Sequence, residues 1–324
     1  MRALICGISG QDGAHLAKFL LGKGYEVVGT SRDAQLTSFG NLERLGIARD
    51  ALTLCSMAPT DFRSVLQTLK KYAPDEVYNL SGQSSVGLSF DQPVETLESI
   101  ATATHHFLEV IRFLERPIRF YNAGSSECFG DTPESGANEL TPFRPRSPYG
   151  VAKSTAFWQV SNYREAYGIQ ACTGILFNHE SSLRPARFVT RKIVRAACRI
   201  KREGGGEKLK LGDLSIQRDW GWAPEYVAAM WAMLNAPGGG VDDFVIATGE
   251  SNSLEQFVRH AFECLGLDWK DHVEIDSGLY RPTEIRFSRG DAGKAQRLLG
   301  WRAGRSMRET VEALVQEELA EGRR

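Results

Sequence analysis

The sequence offers little for metal, disulfide or membrane chemistry. Its six cysteines, Cys6, Cys55, Cys128, Cys172, Cys198 and Cys264, are scattered and form no CxxC pair. A chain of 324 residues buries enough core to need no disulfide framework, so reduced thiols in a cytoplasmic setting are expected. The six histidines show no HExxH or comparable ligand spacing, and the adjacent His105 and His106 would point different ways from a helix, so no metal is expected. Apolar runs last only a few residues, too short for a bilayer, and the amino-terminal "MRALICGISG" holds no hydrophobic segment of signal length. No sign of charge dominates: a net charge of -1 argues against nucleic acid or an acidic membrane as an obligatory partner.

What is present is an alternation. "RALIC", "YEVVGTS", "ALTLC", "DEVYNL", "PIRFYNAGSS" and "QACTGILF" read as short apolar strands. Between them lie helical patterns such as "AHLAKFLLGKG", "DFRSVLQTLKKY", "PVETLESIATATHHFLEVIRFLE" and "SPYGVAKSTAFWQVSNYREAYG". Short strands alternating with amphipathic helices predict an α/β fold, a parallel sheet of the doubly wound Rossmann type covered on both faces. The rhythm changes after residue 177. A basic helix, "RFVTRKIVRAACRIKR", ends at a turn in "EGGGE"; "APEYVAAMWAMLN" is stopped by "APGGG"; "DDFVIATG" regains strand character and is expected to rejoin the first sheet. A Rossmann domain over 1–177, rejoined by about 222–249, and a smaller, discontinuous C-terminal α/β lobe over 178–324 follow.

"CGISGQDGAHL" places Gly7, Gly10 and Gly13 in GxxGxxG spacing directly after the first strand, with Gln11 and Asp12 between Gly10 and Gly13, and all five are expected at the cofactor. Such a loop turns tightly, lets a pyrophosphate approach the backbone and aims the free N–H groups of a helix N-terminus at it. The end of the second strand distinguishes the two nicotinamide dinucleotides: an acidic residue suits a free ribose, an arginine a 2′-phosphate. The sequence offers Arg32 and then Asp33, so NADP is expected ahead of NAD.

In "SPYGVAKS", Ser147 is a helix N-cap and Pro148 suits the first helical position. Tyr149 and Lys153 then fall one turn apart on the same face. Alone, that spacing describes an ordinary surface pair. At the carboxyl edge of a doubly wound sheet, beside the Ser125, Ser126 and Glu127 of "FYNAGSSECFG", it describes a site. A phenol near pKa 10 shifts toward phenolate beside an ammonium and an oxidised nicotinamide, and then accepts the proton of a substrate alcohol. Ser125 is placed to bond the same alcohol, and Lys153 to bond the nicotinamide ribose.

The tyrosine–lysine pair with GxxGxxG resembles the extended short-chain dehydrogenase/reductase superfamily. "GISGQDG", "EVYNLSGQSSVGLSF", "SPYGVAK", "GILFNHES", "FVTRKI", "RDWGWAPEYVAAMW", "DFVIATGE" and "YRPTEI" resemble, in order, the signature stretches of the GDP-mannose 4,6-dehydratase family. The resemblance implies a redox-neutral dehydration of GDP-D-mannose. Tyr149 takes the C4 hydroxyl proton as hydride leaves for NADP. Glu127 removes the C5 proton and helps expel the C6 hydroxyl as water, and hydride returns to C6. It also implies substrate contacts: Ser84 and Ser85 near the sugar; Asn178 at the sugar or diphosphate; Lys192 and Arg218 at the diphosphate or ribose; Arg281 at the diphosphate; Glu284 at the guanine. It implies a homodimer through the long helices, or a homotetramer. Ser125 stands where the family usually has threonine, and Gly124 where it has serine. A GDP-sugar epimerase, a 4-keto reductase, a dehydratase of another GDP-hexose and an NADP-binding sensor remain the alternatives.

Overall fold

The computed structural model describes residues 1–206, 208–236 and 241–322. The strands are β1 (Arg2–Cys6), β2 (Glu26–Ser31), β3 (Thr53–Ser56), β4 (Glu76–Asn79), β5 (Arg119–Ala123), β6 (Ala171–Leu176), β7 (Asn178–Glu180), β8 (Leu209–Leu211), β9 (Gln217–Arg218), β10 (Trp220–Trp222), β11 (Phe244–Ile246), β12 (Asn252–Ser253) and β13 (Val273–Ile275). The helices are α1 (Gln11–Gly22), α2 (Gly40–Arg44), α3 (Phe62–Tyr72), α4 (Val86–Asp91), α5 (Pro93–Leu97), α6 (Ala103–Leu114), α7 (Pro148–Tyr167), α8 (Val189–Glu203), α9 (Ala223–Leu234), α10 (Leu254–Glu263), α11 (Gly293–Leu299) and α12 (Met307–Glu321).

Seven strands form one parallel sheet in the order β11-β6-β5-β4-β1-β2-β3, the doubly wound arrangement expected from the alternation. Strand β1 shows why its residues are apolar throughout. Ala3 and Ile5 enter the core beneath α1 and α9, while Leu4 and Cys6 enter the core beneath α3, α6 and α7. A sheet buried on both faces has no solvent side on which to place polar residues. Phe244–Ile246 pairs with Gly174–Leu176 at the sheet edge, so β11 returns to the first sheet from the C-terminal half. A separate apolar cluster gathers α8, α10 and α12 around Trp220, Trp222, Phe257 and Phe262.

The run expected as one long helix from Pro93 is continuous but not uniform: Glu98–Thr102 adopts the wider π geometry between α5 and α6. There Ser99 Oγ accepts from the Gln83 backbone N–H at 3.2 Å, and a Cβ on Gly82 would stand 2.9 Å from the Ser99 carbonyl. The wide turn thus presents Ser99 to the loop after β4. Helix α8 ends on Gly204 in a left-handed conformation. The remaining turn residues expected at Glu207 and at 237–240 lie outside the described residues. The short strand that "KLKLGDL" suggests is β8, whereas helix α2 and the strands β9, β12 and β13 carry no such signal in the sequence. Among the described residues, no helix is long and apolar enough to cross a membrane.

Candidate active site

The glycine loop is built by exclusion. Gly7 has φ +83°, and a Cβ there would lie 2.9 Å from the Leu80 carbonyl. A Cβ on Gly13 would lie 2.3 Å from the Gly7 carbonyl, so only glycine lets α1 pack so closely on the turn. Gly10 is the N-cap of α1, with no side-chain cap, and a Cβ there would meet only the Gly7 carbonyl, at 3.3 Å. The helix N-terminus is therefore open to a pyrophosphate, and these residues fit a dinucleotide. Arg32 is exposed at the end of β2. Asp33 turns onto its own loop, where its carboxylate accepts from the N–H groups of Gln35 and Leu36 at 2.9 and 3.0 Å.

Gln11 and Asp12 face the other way. Asp12 Oδ2 is 2.9 Å from His179 Nε2, and His179 stacks on Tyr226 with ring centroids 4.5 Å apart. Burial disfavours charge on both partners, yet each ion outweighs it: Asp12 is held well below the usual carboxylate range and His179 above the usual imidazole value.

The catalytic candidates meet where β5 ends and α7 begins. Ser125 caps the turn Ser126–Cys128, its Oγ accepting from the Glu127 N–H at 3.2 Å. Ser147 caps α7 through the Gly150 N–H at 3.0 Å, with Pro148 opening the helix. Lys153 Nζ donates to the Ala123 carbonyl at 2.6 Å and lies 5.7 Å from the Tyr149 ring centroid. The electrostatics depart from expectation. Burial pushes the Tyr149 phenol well up, the Ser125 hydroxyl pulls it back, and Glu127 adds to the rise. Burial lowers Lys153 to about 8. Within the protein, then, burial raises Tyr149 rather than leaving it depressed, and the Lys153 ammonium is engaged by the Ala123 carbonyl. Burial also raises Glu127, against the pull of Arg218 and Arg281.

Gly124 explains one departure from the family pattern. A Cβ there would stand 2.7 Å from Thr173 Cγ2 and 2.9 Å from the Gly174 carbonyl, so Thr173 occupies the space a serine would need.

A cavity of about 590 Å³ joins these groups to the C-terminal half. Its lining brings together Asp12, Ser84, Ser85, Ser125, Glu127, Tyr149, Lys153, Asn178, Lys192, Arg218, Arg281 and Glu284. Gly7, Gly10, Gln11, Gly13 and Arg32 are not part of that lining. Ser85 uses its hydroxyl to cap α4 through the Leu88 N–H, at 3.3 Å, and Lys192 Nζ donates to the Lys210 carbonyl at 2.7 Å. Arg218 is 5% exposed; it donates to the Ile285 carbonyl at 2.8 Å and to Glu284 Oε1 at 2.8 Å. Arg281 reaches the same oxygen at 3.2 Å. Three further cations, Arg184, Arg187 and Arg286, line the cavity and were not singled out from the sequence. Arg184 pairs with Glu180, at 3.4 Å. No spacing rule marks such residues, since they arrive from irregular segments. Among the described residues, no group of three or more His, Cys, Asp or Glu is placed to hold a metal ion.

Residues 4–314 match the family model described as GDP-mannose 4,6 dehydratase. The chain belongs to the GDP-mannose 4,6-dehydratase family. Within that family it is 45% identical to GDP-mannose 4,6 dehydratase 1 of Arabidopsis thaliana over 98% of this chain and 89% of that one. It is 43% identical to the Sinorhizobium fredii GDP-mannose 4,6-dehydratase over 98% and 96%, and 41% identical to the Homo sapiens enzyme over 97% and 90%. The dehydratase-family fold is shared more widely. A UDP-glucose 4-epimerase from Thermotoga maritima superposes with a TM-score of 0.87 at 20% identity, covering 100% of both chains. A dTDP-glucose 4,6-dehydratase from Bacillus anthracis superposes at 0.84 with 18% identity, covering 99% and 97%.

Proposed function

We propose that this protein converts GDP-D-mannose to GDP-4-dehydro-6-deoxy-D-mannose and water, acting as an NADP-dependent hydro-lyase. The observation that carries the reading is the convergence of Ser125, Glu127 and Tyr149 on a cavity that Lys192, Arg218 and Arg281 also line. A 4-keto reductase has no need of a carboxylate beside its tyrosine; elimination of water does. Tyr149 accepts the C4 hydroxyl proton, and Ser125 bonds the same oxygen. Glu127, raised by burial toward neutrality, is better matched to take and return protons at C5 and C6 than an ordinary carboxylate. NADP, when bound, supplies the hydride acceptor and donor, and its oxidised ring carries positive charge that favours the Tyr149 phenolate. Gly7, Gly10 and Gly13 shape its pyrophosphate site, Arg32 its 2′-phosphate site, and Lys153 its ribose contact.

Lys192, Arg218 and Arg281 hold the diphosphate, as cations should. Glu284 gives Oε1 to both arginines, leaving Oε2 for the guanine N–H donors. Ser84, Ser85 and Asn178 flank the sugar. Residues 1–177 with β11 make the dinucleotide half, and the rest of 178–324 the nucleotide-sugar lobe. We place the enzyme in the cytoplasm, since every cysteine is free. Val94, Leu97, Val151 and Trp158, exposed on α5 and α7, support a homodimer through this face.

The test is incubation with GDP-mannose and no added reductant. Formation of the 4-keto product supports the proposal, and Glu127→Gln stops water loss while nucleotide binding persists. Net consumption of NADPH with a keto-sugar would instead assign a reductase, and unchanged turnover by Glu127→Gln would remove that residue from the chemistry.

A further inference from the structure

Gln11 sits in the glycine loop, where the sequence assigns it to the cofactor, yet its side chain is directed elsewhere. It is 6% exposed, and its amide makes four hydrogen bonds. Nε2 donates to the His179 carbonyl at 3.1 Å and to Asp12 Oδ1 at 2.9 Å. Oε1 accepts from the Ser181 N–H at 2.9 Å and the Ser181 hydroxyl at 3.1 Å. An amide group has two donors and two acceptor positions, so none remains for a ligand. Three of the four partners lie on the segment that follows β6. That segment carries Asn178 in β7, then Arg184, and leads into α8 with Lys192. It is otherwise a short strand and an irregular stretch, with few backbone bonds of its own to set its height over the cavity.

Building on the proposed function, we infer that Gln11 is a positioning residue for the nucleotide sugar: it pins the 178–183 segment to the rigid first turn of α1. The neighbouring Asp12–His179 pair acts in parallel at 2.9 Å. Removing the amide leaves the Gly7, Gly10 and Gly13 backbone intact, so the two ligands separate in their response. The first turn of α1 keeps its N–H groups for the dinucleotide. The 178–183 segment loses its register, and with it the aim of Asn178 and the approach to Arg184.

The experiment measures equilibrium binding of NADP and of GDP-mannose separately, in the full-length wild-type protein, in Gln11→Leu and in Ser181→Ala. The expected result is a weakening of GDP-mannose binding of about tenfold or more in Gln11→Leu, the loss expected from buried hydrogen bonds, with NADP affinity within about twofold of wild type. Ser181→Ala removes one of the same bonds from the opposite side, together with the bond its hydroxyl accepts from the Leu183 N–H at 3.3 Å, and alters no residue of the glycine loop. It should shift GDP-mannose binding in the same direction by a smaller factor, and it stands as the test should Gln11→Leu not fold. Unchanged GDP-mannose affinity in both variants overturns the inference, as does selective loss of NADP. Failure of the wild-type protein to bind GDP-mannose at all overturns the functional reading itself, which is a separate result.

Discussion

A side-chain carbon on Gly150 would stand 2.7 Å from the carbonyl oxygen of Glu127. This approach sets the distance between the first turn of α7, which carries Tyr149, and the turn that carries Ser125 and Glu127. Helix propensity alone favours alanine at position 150 by up to about 1 kcal/mol. Gly150→Ala should nevertheless lower stability by about 1–3 kcal/mol through overpacking, and lower kcat by at least about tenfold by displacing Tyr149. Thermal unfolding and turnover measured on the same variant check both halves. A more stable, fully active Gly150→Ala protein would show that the contact relaxes without consequence.

The acid limb of the kcat–pH profile should lie above the ordinary carboxylate range. As the proposed base, Glu127 would work only when ionised, and burial raises its pKa despite Arg218 and Arg281. Activity is therefore lost as pH falls through that raised value. Arg218→Gln removes a group that pulls the value down, so the limb should move to still higher pH at saturating substrate. A limb that stays in place in the variant would assign it to another group.

Lys153 sets a contrast between stability and function. Its folded value of about 8 lies below the ordinary lysine value of 10.5, because burial disfavours the ammonium. The unfolded chain thus holds the proton at higher pH than the folded one. The charge penalty is full below pH 8 and fades as pH rises through the window between the two values. Its ceiling is about 3 kcal/mol, reduced by loss of the bond to the Ala123 carbonyl. Lys153→Met should be inactive, yet more stable than wild type at pH 7, with the difference shrinking toward pH 10.5. Denaturant titrations across that range measure it; a variant less stable at every pH would mean the hydrogen bond dominates.

Arg32 is exposed at the end of β2, and Asp33 is engaged by its own loop. Arg32→Ala should weaken NADP about tenfold, the scale of a lost charge-assisted contact, and leave NAD unchanged. Competitive binding of the two dinucleotides decides it, and equal effects on both would place the 2′-phosphate elsewhere.

Val151 and Trp158 lie seven positions apart on α7, both exposed, near the exposed Val94 and Leu97 of α5. Trp158→Asp should convert the proposed dimer to a monomer in sedimentation without unfolding it. A wild-type protein that sediments as a monomer would end the assignment.

Periodicity and glycine placement made much of this protein legible in advance. Strands such as β1 announce themselves because a sheet covered on both faces needs an unbroken apolar run, and Gly7 and Gly13 because no other residue fits their contacts. Tyr149 and Lys153 are set one turn apart by the helix alone. Tertiary structure alone decided where the polar groups point. The amide of Gln11 turns to Ser181, the ammonium of Lys153 to Ala123, and the carboxylate of Glu284 to Arg218 from another segment. Side-chain direction at such positions depends on partners many residues away, and on the burial that reverses the expected shift of Tyr149. Neither quantity is local, so no spacing in the chain encodes it.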